Sequence, residues 1–224
     1  MEVFFKKASK ADSKTDPKKL GKLLGESVDR FNALFELSGT INPYIYSFIS
    51  TDSRNKTAMR ILSEFEQMSV QASVLNTKFQ AWVGTLGKPA IKKAAKTNPS
   101  AKAHEFALNE AAEQSKYLMS EAEEILAAEL TLSGGNAFGK LQGTVTSQLS
   151  VDFELDGKVQ KMPMPALINL RSHPDEPTRR RGYEAENIAW EGVKETLAAC
   201  MNGVKGETLT LDKKRGREDA VHSS

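Results

Sequence analysis

Apolar residues along most of this chain recur at helical steps. Asp16-Pro17 offers a capping side chain followed by proline at the first helical position, and Leu20, Leu24, Val28, Phe31 and Phe35 then fall on one face. Gly39 and Asn42-Pro43 predict a break, with a short apolar helix from Tyr44 to Ile49 beyond it. Thr51-Asp52-Ser53 supplies cap residues for the next helix. There Leu62, Phe65, Met68, Ala72, Leu75, Phe79, Trp82 and Leu86 recur at steps of three and four. That predicts a long amphipathic helix whose stripe is core rather than a ligand groove. Gly87-Lys88-Pro89 and Asn98-Pro99-Ser100 punctuate a short basic helix. Ser120-Glu-Ala-Glu123 has the form of a capping box, which sets a helix boundary near Ser120. Ser133-Gly-Gly-Asn-Ala-Phe138 reads as a turn into a helix ending near Leu149.

The period then changes from 3.6 to 2. Val151-Asp-Phe-Glu-Leu155 alternates, Asp156-Gly157 is a favoured two-residue turn, and Lys158-Val-Gln-Lys-Met162 alternates again. A β-hairpin is predicted over about 150–162, and because an isolated hairpin is marginal it must pack on helices or extend into a cleft. Pro163 to Arg171 predicts a short helix, and Ser172-His-Pro-Asp175 starts what reads as the longest one, with Tyr183, Trp190, Val193, Leu197, Met201 and Val204 as its buried stripe. Arg179, Arg180 and Arg181 sit near its beginning, the unfavourable end for cations in the helix dipole, so Glu176, Glu184, a partner surface or water must compensate. The fold class is therefore mainly α, a multi-helix lobe with one hairpin.

Charge and composition narrow the chemistry. The 224 residues carry 31 Lys plus Arg against 29 Asp plus Glu, a net charge of +2, which removes any bulk electrostatic case for nucleic acid or an anionic membrane. Locally the balance is uneven. Lys6, Lys7, Lys10, Lys14, Lys18, Lys19 and Lys22 make the first segment basic, read as a partly flexible, solvated leader rather than an anion-binding arm. Between Ala103 and Ser133, Glu105, Glu110, Glu113, Glu121, Glu123, Glu124 and Glu129 oppose Lys116 alone, read as a solvated face. The stretch from Lys213 to Ser224 matches a basic nuclear-type signal only loosely, since Glu218 and Asp219 dilute it. The Val3-Phe4-Phe5 patch is too short for a signal peptide, and no run of about 18 apolar residues occurs, so the expected location is the cytoplasm.

The catalytic inventory is thin. Cys200 is the only cysteine and reads as a buried, inert thiol; the histidines are His104, His173 and His222. His104-Glu105-Phe-Ala-Leu108 comes nearest to a metallopeptidase motif. In H-E-x-x-H two imidazoles one turn apart share a metal while the Glu activates water, and here the second position holds Leu108. Glu123-Glu124 has nothing to mark it as an acid–base pair, and no phosphate loop, G-x-S-x-G, G-x-G-x-x-G or C-x-x-C is present. No catalytic, metal-binding or cofactor-binding residue is assigned.

Two stretches nonetheless resemble a known family. Asn136-Ala-Phe-Gly-Lys-Leu141 leads into the hairpin. Met164-Pro-Ala-Leu-Ile-Asn-Leu-Arg-Ser-His-Pro-Asp-Glu-Pro-Thr-Arg-Arg-Arg-Gly-Tyr-Glu-Ala-Glu186 follows, continuing to Leu197-Ala-Ala-Cys-Met-Asn-Gly-Val-Lys-Gly-Glu207. Both are similar to the N-terminal half of the oligoendopeptidase F family of zinc metallopeptidases, related to thimet oligopeptidase, and Ser120 to Leu126 and Lys213 to Ala220 stand in the expected order. The resemblance spans roughly 30–222 in layout and is specific from about 105. It implies a helical lobe walling one side of a channel that admits short unfolded peptides, with zinc and its H-E-x-x-H site in a later part of the protein. On that reading the chain is truncated before its catalytic half and inactive alone. Its regions are a leader 1–22, a helical part 23–118, an oligopeptidase F N-terminal-type domain 119–210 and a basic tail 211–224. Its partners are the catalytic lobe and short peptides, with no nucleic acid and no membrane. The alternative is a free-standing helical peptide- or protein-binding module that lost the enzyme.

Overall fold

A computed structural model describes residues 1–52, 54–219 and 221, and it is mainly α with one antiparallel hairpin among those residues. The helices are α1 (Glu2–Ala8), α2 (Pro17–Thr51), α3 (Lys56–Ala95), α4 (Pro99–Ala103), α5 (Glu105–Gln114), α6 (Glu121–Thr131) and α7 (Gly135–Gln148). The strands β1 (Ser150–Leu155) and β2 (Lys158–Pro163) come next, then α8 (Met164–Asn169), α9 (Glu176–Glu191) and α10 (Lys194–Lys214). Two compact units divide the chain, one made of 1–130 with 212–224, the other of 131–211. No helix among the described residues is long and apolar enough to cross a membrane.

In the first unit α2 and α3 form a long antiparallel hairpin, and α4 and α5 pack on its base. Leu20, Leu24, Val28 and Phe31 meet Phe79, Trp82, Val83, Leu86 and Ile91, joined by Leu108 and Ala112. Asp16 caps α2 as expected, accepting from the Lys19 N–H at 3.0 Å. The predicted break at Gly39 and Pro43 is absent. Pro43 lies inside a continuous helix, its one missing intrahelical donor tolerated next to Ile45, which is buried. The cap of α3 is Asn55, which accepts from Ala58 N–H at 3.0 Å, rather than the Thr51–Ser53 stretch; Ser53 lies outside the described residues. Gly87, at φ 74°, kinks α3 where Gly87-Lys-Pro89 signalled punctuation. The leader carries α1. Its lysines are exposed, while Phe5 and Ala8 enter the core and the Trp82 indole N–H donates to the Ala11 carbonyl at 2.8 Å.

In the second unit the hairpin pairs Ser150 with Pro163 through Leu155 with Lys158. Asp156 (φ 53°) and Gly157 (φ 72°) both sit in the left-handed region that a type I′ turn requires. Phe153 and Met162 turn inward onto Met164, Leu167 and Leu170, so the hairpin gains the helical backing it needs from α8 and α9.

The predicted longest helix is two. The chain leaves helical form at Gly192-Val193, and the longest unkinked helix among the described residues is α2 at 35 residues, since α3 breaks its helical form at Gly87. The stripe read as buried is also corrected: Tyr183, Met201 and Val204 are exposed. The buried positions of α9 are Thr178, Gly182 and Glu186, which an apolar count overlooks. Gly182 is small because a Cβ there would stand 3.1 Å from the Leu170 Cβ.

Candidate functional site

Charged and small residues of the second unit form two structural clusters. In the first, Glu207 of α10 reaches the turn before α7. Its carboxylate accepts from the Thr131 hydroxyl at 2.6 Å and from the Gly135 backbone N–H. Backbone donors at a helix start lack intrahelical partners, so a carboxylate there serves as a cap supplied from another helix. Beside it Gly203 faces the ring of Phe138, and a Cβ at Gly203 would collide with that ring. The Asn136-Ala-Phe-Gly-Lys segment and the Met-Asn-Gly-Val-Lys-Gly-Glu segment are thus two halves of one contact.

In the second cluster Glu186 is 4% exposed and accepts two hydrogen bonds from Arg171, at 3.1 Å from Nε and 2.5 Å from Nη2. The Trp190 indole N–H adds a third at 3.2 Å. Asp175 caps α9 through the Thr178 hydroxyl at 2.7 Å and its N–H at 2.9 Å, and these hydrogen bonds hold the Asp175 carboxyl below its ordinary range. The three arginines find three different answers to the helix dipole. Arg179 donates to the carbonyls of His173 and Pro174, Arg180 pairs with Glu176 at 3.0 Å, and Arg181 lies over the Phe153 ring and reaches the Glu154 carbonyl.

The acidic stretch of the first unit is laced with cations rather than bare. Lys116 and Lys88 hydrogen-bond Glu113 and pull its pKa down to about 2. Lys78 meets Glu121 at 3.0 Å. Ser120 and Glu123 form the predicted capping box, Ser120 N–H donating to the Glu123 carboxylate at 3.0 Å and Glu123 N–H to the Ser120 hydroxyl at 3.4 Å. Glu124 is buried, which by itself would raise its pKa, but hydrogen bonds from Arg215 and the Met119 N–H outweigh that and leave it lowered. Arg217 donates to Gln114 at 2.9 Å and lies over the Tyr117 ring. Two cations of the basic tail are therefore seated on this unit; Ala220 and His222 to Ser224 lie outside the described residues.

The potential catalysts do not assemble. His104 Nδ1 approaches the Ser100 carbonyl at 2.9 Å and its Nε2 approaches the Asn32 amide at 3.2 Å. His173 Nδ1 accepts from the Asp175 N–H, and Cys200 is buried. No group of three His, Cys, Asp or Glu that could hold a metal ion occurs among the described residues. A cavity of about 380 Å³ in the first unit is lined by Thr77, Lys78, Thr85, Ser115, Met119 and Glu121 among others, with neither histidine nor cysteine. Apolar periodicity marks none of Arg171, Glu186 and Glu207. The available signal was a charged residue kept inside an apolar neighbourhood.

Neither the curated proteins nor the solved structures contain a match to this chain. Residues 83–150, from the buried end of α3 through α7 to the first residue of β1, match the family model described as oligopeptidase F. That stretch of the chain is thus similar to the N-terminal part of oligopeptidase F.

Proposed function

We propose that this chain is the non-catalytic N-terminal lobe of an oligoendopeptidase F-like zinc metallopeptidase, working in the cytoplasm as one wall of the channel that admits short unfolded peptides. The observation that carries this reading is the family match over residues 83–150 in a sequence whose one His-Glu pair, His104-Glu105, continues to Leu108 instead of a second histidine. Hydrolysis needs two imidazoles and a water-activating carboxylate on one face, so the chemistry is assigned to polypeptide outside these 224 residues. Its partners are that catalytic lobe and the peptide substrate. The engagement of Arg171, Asp175, Glu186 and Glu207 with other residues of the chain supports a structural task for these residues.

The test is fluorescence polarisation of labelled unstructured peptides of about ten residues against the purified chain, with mass spectrometry of the mixture afterwards. Saturable binding with the peptide recovered intact is expected. Cleavage products that disappear on adding a chelator, from a preparation free of host peptidases, would overturn the proposal.

A further inference from the structure

The free half of the α2–α3 hairpin carries an apolar face that the core uses only at its Leu75 end. On α2, Leu37, Ile41, Tyr44 and Phe48 follow one another at steps of four, three and four. On α3, Ile61, Phe65, Met68, Ala72 and Leu75 do the same, at steps of four, three, four and three. This is heptad spacing on both helices. At 100° per residue, the α2 stripe lies roughly 80° to one side of buried Ile45, and the α3 stripe roughly 70° to one side of buried Ala58 and Leu62. The offsets have the same sense along each helix, and the helices run in opposite directions, so both stripes open on one side of the hairpin.

That side is bare. Leu37 is 57% exposed, Tyr44 67% and Met68 62%, with Phe48 and Ile61 also exposed. Further along α3 the same stripe is buried, at Phe79, Trp82 and Leu86. The Tyr44 and Phe48 rings pack edge to face at 5.2 Å, so the patch is contiguous. Residues 37–51 contain no charged side chain at all. Around them Arg54, Lys56 and Arg60 stand against Glu36, Asp52, Glu64 and Glu66, nearly in balance.

We infer that this face pairs with the same face of a second copy, closing a four-helix bundle about a two-fold axis. The exposed apolar area of the seam is about 500 Å² per copy, taking about 150–250 Å² for each large side chain. A standard interface buries about 800 Å² per partner, of which about 65% is apolar in homodimers, and the seam supplies that share. A patch of about 500 Å² is in the range of the largest apolar patch on a monomer, about 300–600 Å², which is often a functional surface. Two-fold pairing sets an uncharged surface against itself, with no unpaired charge desolvated and no net repulsion at the rim. The inference is independent of the peptidase reading.

Sedimentation velocity from about 1 to 100 µM tests it on the full chain, with Tyr44→Glu and Met68→Glu on the seam and Tyr46→Glu on the opposite side of α2. A dimer is expected for the wild type and for Tyr46→Glu, and a monomer of unchanged helical circular dichroism for both seam variants. A wild type that stays monomeric at 100 µM, a dimer that survives both seam substitutions, or equal disruption by Tyr46→Glu would overturn the inference. Hydrogen exchange on the wild type gives a second reading that needs no variant. Protection of 37–48 and 61–72 rises with protein concentration if the faces pair, and unchanged protection there contradicts the pairing.

Discussion

Removing either end of the Arg171–Glu186 pair breaks the same hydrogen bonds, yet the two losses are expected to differ because the partners are buried unequally. The Glu186 side chain is 6% exposed and that of Arg171 is 59% exposed. Arg171→Ala strands a carboxylate in the interior with the Trp190 indole as its remaining side-chain donor, and stranding a buried charge costs about 3–5 kcal/mol. Glu186→Gln leaves the guanidinium free to turn to water and keeps an oxygen for Trp190. The loss is then that of a charge-assisted hydrogen bond, about 1.5–3 kcal/mol. The double variant has no buried charge, so it is expected to be more stable than Arg171→Ala alone. Urea unfolding, followed by Trp190 fluorescence in a Trp82→Phe background common to all four proteins, reads the second unit selectively. A Glu186→Gln loss as large as that of Arg171→Ala, or simple additivity in the double variant, would refute the claim that the stranded carboxylate dominates.

Other outcomes follow from the same contacts. Phe5→Ala removes a ring packed edge-on against Phe79 and Trp82 and is expected to cost about 3 kcal/mol; limited trypsin digestion at Lys6, Lys7, Lys10 and Lys14 should accelerate with it. Gly203→Val drives a branched side chain into Phe138, with an expected loss of about 1–3 kcal/mol that a simultaneous Phe138→Ala partly recovers, as chemical denaturation would show. The Glu113 carboxyl, depressed to about 2 by Lys116 and Lys88, stabilises the fold above the ordinary carboxylate range, and that contribution is lost as pH falls from about 4.5 through 2. Lys116→Met together with Lys88→Met should return the Glu113 titration, followed by carboxyl NMR shifts, towards its ordinary range.

The sequence was most legible where a local rule and the tertiary environment agree. Asp16-Pro17, the Ser120–Glu123 capping box and Asp156-Gly157 each specify a short backbone geometry through their own side chains, and each lies where expected. Pro43 shows the opposite case. A local breaker stands inside α2 without ending it, two positions before the buried Ile45. The α9 face misled because its inward positions are Thr178, Gly182 and Glu186. A small residue admits Leu170 and a carboxylate receives Arg171 and Trp190, and neither feature raises an apolar count. Phe5 was hidden among lysines, its partners more than seventy positions away. In the first half, the stripe read as uniform core on α3 is buried at Leu62 and from Phe79 to Leu86 and open at Met68, since periodicity marks an apolar face without saying what covers it.

The central claim is that these residues form a peptidase lobe without its chemistry. Its most direct test is turnover of an internally quenched oligopeptide by the purified 224-residue chain, with zinc added and with zinc removed by chelator. The predicted result is no zinc-dependent turnover above the buffer rate at any enzyme concentration. Hydrolysis that follows the concentration of this chain, requires zinc and vanishes with chelator would contradict the account.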